Sequence, residues 1–153
     1  FAVTRDEAKP FIVSTPAAQI EVLGTEFTVI ADNVETQLSV KSGIVRFTPD
    51  DLQVPLLCTA GMTARYNAAD ETIKVASPDS EMKISARTQS LSFDNIALKE
   101  VVRILSHFYK VKIELPGSES ELTFSSSFTQ KSIIEIIDII NITLDSHIAV
   151  TIP

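Results

Sequence analysis

Apolar and polar residues alternate with a period of two through much of Phe11 to Val75, and from Leu98 onward the spacing becomes that of helices. The clearest stretch is Ile20 to Val29, IEVLGTEFTV, where two short alternating segments meet at Leu23-Gly24-Thr25. This predicts strand, turn, strand. Ile20, Val22, Phe27 and Val29 can share one core only if Gly24 takes a backbone conformation that tolerates a side chain poorly. Alternation resumes at Val34, Thr36, Leu38, Val40 and at Val45, Phe47. Turn signals stand at Gly24, Asp32-Asn33, Ser42-Gly43, Pro49-Asp50-Asp51 and Ala60-Gly61, roughly 8 to 12 residues apart, as in an all-β sandwich or solenoid-like stack.

The pattern changes near residue 80. Pro78, Asp79, Ser80 and Glu81 read as a connection, so the expected organisation is an all-β domain over 1–77, a linker over 78–89 and a small α+β domain over 90–153. In the last part, a strand containing Leu91 and Phe93 leads to Asn95 as the expected helix N-cap. Leu98, Val101, Val102, Leu105, Phe108 and Tyr109 then form one apolar helix face, opposite Lys99, Glu100, Arg103 and His107. Val111, Ile113 and Leu115 continue as a strand whose Lys112 and Glu114 point the other way. A second such run follows: a strand from Leu122 to Phe128, a helix opened by the capping box Ser132 and Glu135, and a strand at Ile148, Val150, Ile152. Phe93 matches Phe128 and Tyr109 matches Leu144 at one offset of 35 residues, which argues for duplicated β-α-β units. The second helix is apolar nearly all round. Ile133, Ile136, Ile137, Ile140 and Leu144 make its core face, and Ile134, Ile139 and Ile142 are expected to be buried on a second side, the alternative being exposure to a partner.

Composition narrows the function. The 153 residues are 44% hydrophobic and 22% charged, as in a folded globular chain. A net charge of −7 with 13 scattered Lys and Arg leaves no basic patch for nucleic acid or an anionic bilayer surface, so neither partner is expected. Cys58 is alone, excludes an internal disulfide, and reads as a small buried residue. His107 and His147 have no carboxylate or thiolate at ligand spacing, and no metal or cofactor motif occurs. Asp50-Asp51 and Asp70-Glu71 sit at turns rather than in a calcium loop. The chain reads as an interaction module, not an enzyme, and open strand edges are its natural binding element.

Three blocks carry a family resemblance. Phe11-Ile12-Val13-Ser14-Thr15-Pro16, then the segment around Gly24, then Val40-Lys41-Ser42-Gly43-Ile44-Val45 resemble in order and spacing the periplasmic part of FecR-type anti-sigma factors. Leu57 to Ala64, with Gly61, is similar to a later strand-turn-strand of that family, and 90–153 resembles the short N-terminal domain of secretins and TonB-dependent receptors. Arg87 aligns where that family often has Trp. The resemblance implies two helices between two small sheets and a periplasmic location, with an inner-membrane anchor and a sigma-factor-binding segment before Phe1. It also implies that the chain binds the signalling domain of a TonB-dependent outer-membrane receptor and relays its state to the sigma factor. The strand Val111, Lys112, Ile113, Glu114, Leu115 is the expected interface. A periplasmic structural or assembly module of secretin type is the alternative.

Overall fold

A computed structural model describes residues 11–52 and 54–151. Its strands are β1 (Phe11–Ser14), β2 (Ala18–Ala31), β3 (Glu35–Pro49), β4 (Leu56–Thr59), β5 (Thr63–Asn67), β6 (Thr72–Ala76), β7 (Glu81–Ser85), β8 (Ser90–Ala97), β9 (Lys112–Glu114), β10 (Thr123–Thr129) and β11 (Ala149–Thr151). The helices are α1 (Leu98–Tyr109) and α2 (Ile133–Leu144), with a 3₁₀ turn at Gly117–Glu119. Every strand pair is antiparallel. Nine strands form one sheet in the order β1-β2-β3-β5-β6-β7-β8-β10, with β4 also on β3, and β9 and β11 form a second sheet of two.

The alternation at Ile20–Val29 does face one core, by a different device from a turn. β2 runs straight through Leu23-Gly24-Thr25, and β3 runs through Ser42-Gly43; neither position is a hairpin. The register jumps from Leu23↔Ile44 to Glu26↔Ser42, leaving Gly24 and Thr25 opposite Gly43 in a β-bulge, and again to Phe27↔Val40, leaving Lys41 as the extra residue on β3. One extra residue on each strand reverses which parity points inward. Ile20 and Val22 are buried before the bulge and Phe27 after it; on β3, Thr36, Leu38 and Val40 give way to Val45 and Phe47. Gly24 has φ 59° and Gly43 φ 87°, a region glycine enters without steric cost. Past the bend, β3 exchanges β5 for β4 as its second neighbour.

Other turns lie where the sequence places them. Asp32 Oδ1 accepts the Val34 and Glu35 amides at 2.8 Å each, which holds its carboxyl below the ordinary value. The turn Ala60-Gly61 joins β4 to β5, and Met62 Sδ accepts from the Thr59 hydroxyl at 3.3 Å. Within the predicted linker, Ser77 to Ser80 forms a turn and Glu81–Ser85 is β7, paired on one side with β6 and on the other with β8.

Two expectations in the last third are corrected. Asn95 is not the N-cap of α1; Ala97 is, without a side-chain cap. Asn95 sits inside β8 with φ 56°, at the irregularity where Phe93↔Ser126 gives way to Ile96↔Phe124, and its amide donates to Ser125 Oγ at 2.8 Å. Asparagine is among the few side chains that enter this region readily, so its type fits a bulge as well as a cap. The second correction concerns α2. Ile133, Ile136, Ile137 and Ile140 are buried and Ile139 is half-buried, but Ile134 is 46% and Ile142 83% exposed. The capping box is present as expected, with the Glu135 amide donating to Ser132 Oγ at 3.2 Å and the Ser132 amide to Glu135 Oε2 at 3.0 Å. Helix α1 buries Ile104, outside its expected face, and Arg103 donates to the Pro55 carbonyl, tying the helix to the stretch before β4. Ile152 lies outside the described residues, and β11 ends at Thr151.

Candidate functional site

Helix α1 ends at Lys110, whose φ of 55° turns the chain left-handed, and the Lys110 and Val111 amides both donate to the Ser106 carbonyl. Ser106 Oγ donates to the Val111 carbonyl at 2.6 Å, so the chain leaves the helix in a fixed direction. Val111, Ile113 and Leu115 then lie half-buried against the core while Lys112 and Glu114 are exposed, the alternation the sequence predicts. The strand is shorter than the five predicted residues: only Lys112–Glu114 pairs, as Lys112↔Thr151, Ile113↔Val150 and Glu114↔Ala149.

Among the described residues β9 pairs with β11 alone, so one edge of its backbone has no strand beside it. An open groove of about 370 Å³ runs between β9 and α1, lined by Lys99, Val102, Arg103, Ser106, His107, Ile113 and Leu115. Lys99, Arg103 and His107 stand beside the apolar Val102, Ile113 and Leu115, and two of these basic groups are already paired. Arg103 is held by Glu100, with Nε 3.1 Å from Oε2, and Lys99 pairs with Glu121 at 2.9 Å. Between the 3₁₀ turn and the stretch before β11, Glu119 accepts the His147 amide at 3.0 Å and lies 2.8 Å from its ring Nδ1. These bonds lower the Glu119 pKa, and the same carboxylate raises that of His147.

The remaining candidates are engaged in the fold or stand apart from β9. Cys58 is fully buried, and that burial pushes its thiol up to about 12, so it is not an available thiolate. Asp51 accepts the buried Tyr66 hydroxyl at 2.8 Å, and Asp70 lies in the β5–β6 turn, where Asn67 Oδ1 takes its amide. His107 is exposed on the polar side of α1, as expected. Among the described residues no three His, Cys, Asp or Glu converge on a possible metal position. Gly24 and Gly43 meet at the bulge and Gly61, with φ 86°, forms the β4–β5 turn; all three shape the sheet and none adjoins β9. Among the described residues no helix is long and apolar enough to cross a membrane.

Comparison with known proteins agrees with the motifs. The family model described as FecR protein matches residues 1–46, and the one described as FecR, C-terminal, matches 90–152. No curated protein sequence matches the chain. Two crystal structures of a candidate anti-sigma factor from Parabacteroides distasonis ATCC 8503, at 1.65 and 2.50 Å resolution, are 22% identical, with a TM-score of 0.46. The alignments cover 99% of this chain and 76% and 75% of theirs. With one family model on residues 1–46 and another on 90–152, this chain belongs to the FecR family.

Proposed function

We propose that this chain is the periplasmic sensing region of an inner-membrane-anchored anti-sigma factor and that it binds the signalling domain of a TonB-dependent outer-membrane receptor by strand addition to β9. The family implies a sigma-factor partner and a regulatory, non-enzymatic role. The sigma factor is reached through a segment other than this one. The observation that carries the receptor reading is the β9 edge itself, a strand paired on one side only, with apolar side chains packed inward and charged ones outward. Backbone groups on such an edge supply affinity, and the alternating side chains beside it supply selectivity.

Successive amides along a strand aim at opposite edges, so one of Lys112 and Ile113 donates outward and the other toward β11. Titration calorimetry of the full chain with the receptor domain, with circular dichroism on each variant, tests this. Lys112→Ser and Glu114→Ser should bind nearly as the parent does, whereas proline at the outward-donating position should weaken binding by about tenfold or more. Unchanged affinity in folded Lys112→Pro and Ile113→Pro variants would rule out pairing at β9.

A further inference from the structure

The outward stripe of α2 is built against the needs of an isolated helix. Ile134, Asp138 and Ile142 follow one another at four-residue spacing, so they lie in line along about 12 Å of helix surface. Ile142 is the most exposed large apolar residue among those described, and Asp138 is exposed. Among the described residues no hydrogen bond or ion pair engages the Asp138 side chain. Isoleucine is a poorer helix former than the charged residues usual at such positions, and exposing it gains nothing. The C-cap Asp145 faces the negative end of the helix dipole, and the last turn of α2 has no basic residue.

Helix α1 supplies an internal comparison. Both helices are twelve residues long and end in a left-handed C-cap, at Lys110 and at Asp145. Counted back from those caps, the positions of Ile134, Asp138 and Ile142 are held in α1 by Lys99, Arg103 and His107, all basic or ionisable to a cation. The α1 stripe is used inside the molecule, with Arg103 on the Pro55 carbonyl and Lys99 on Glu121. The α2 stripe has the opposite chemistry and no such cover.

We propose that this stripe docks an extended segment of a partner protein carrying a basic residue between two aliphatic ones. Charge complementarity selects the cation, since Asp138 stands alone between its two isoleucines. Geometry selects the extended form: same-face side chains at i, i+2 and i+4 of a strand span about 13 Å, the length of the stripe. An identical copy of α2 would bring acid to acid, and an anionic bilayer would repel Asp138 and Asp145. The inference does not depend on what occupies β9.

The ¹⁵N-labelled full chain can be titrated with the acetylated, amidated peptide Thr-Ile-Thr-Lys-Thr-Ile-Thr up to about millimolar concentration, the range in which so small a contact is detected. Saturable shifts should concentrate on the α2 amides near Ile134, Asp138 and Ile142. Ile142→Ser should abolish them. Asp138→Lys should weaken binding by about fivefold, the scale of one exposed ion pair, and should restore it for the peptide with Glu in place of Lys. Both positions are exposed, so both variants should keep the parent spectrum elsewhere. Absence of α2 shifts, equal binding of the Glu peptide by the parent, or concentration-dependent shifts of the same amides without peptide would each overturn the proposal. The last of these would assign the stripe to a second copy of the chain.

Discussion

A Cβ built on Gly43 would lie 2.7 Å from Thr25 Oγ1 and 3.0 Å from the Gly24 carbonyl oxygen, whereas one on Gly61 would meet nothing within 4 Å. Both residues have positive φ. Gly61→Ala therefore carries backbone strain alone, about 1 kcal/mol, while Gly43→Ala adds a clash with a buried threonine whose hydroxyl donates to the Ile44 carbonyl. Chemical denaturation should rank Gly43→Ala clearly below Gly61→Ala, and equal midpoints would contradict the packing of the bulge. A second residue-scale prediction follows from Glu119, whose hydrogen bond and charge raise the His147 pKa above its ordinary 6.5, with Asp145 adding to the effect. The His147 contribution to stability is complete below pH 6.5 and vanishes as pH rises through the raised folded value. That of Glu119, whose pKa is lowered from 4.5, is complete above pH 4.5 and vanishes as pH falls through the lowered value. The pair is thus fully effective between about pH 4.5 and 6.5. An NMR titration should place His147 above 6.5, and Glu119→Gln should bring it down.

Which elements were legible in the sequence depended on how local their causes were. Helix α1 and the capping box of α2 follow from spacing within one turn, and both lie where predicted. Ser132→Ala should remove the cap and cost about 1 kcal/mol, read as a lower thermal midpoint. The long strands were missed because Gly24 and Gly43 are ordinary turn signals; only cross-strand register, which is non-local, makes them a bulge. Asn95 misled for a related reason, since caps and bulges draw on the same left-handed tolerance. For α2, an apolar circumference suggested burial on two sides, but the packing covers one side fully and leaves Ile134 and Ile142 outside. The candidate edge was half legible: the alternation over Val111 to Leu115 predicts a strand and its inward face, yet its pairing with β11 is decided by a segment more than thirty residues away.

Across the whole molecule, strands from the two regions matched to the family models, β1 to β3 and β8 with β10, share one sheet, because β7 is hydrogen-bonded to β6 on one side and β8 on the other. Buried residues from both halves, Phe47 and Ile73 with Leu91 and Ile136 among them, belong to one apolar cluster. Loss of either half would strip a neighbour from β7, so thermal unfolding followed by far-ultraviolet circular dichroism and by calorimetry should show a single coincident transition. Two resolved transitions would mean that the β7 ladders contribute little. The bulge in β2 has a consequence for how such a chain can change length. A one-residue insertion or deletion elsewhere in Ala18–Ala31 would trade Phe27 for Glu26 or Thr28 on the inward face, a frameshift in three dimensions. Only a compensating change at Gly24-Thr25 or Gly43 would restore the reading frame of the core, so the spacing of this segment is constrained as tightly as its composition.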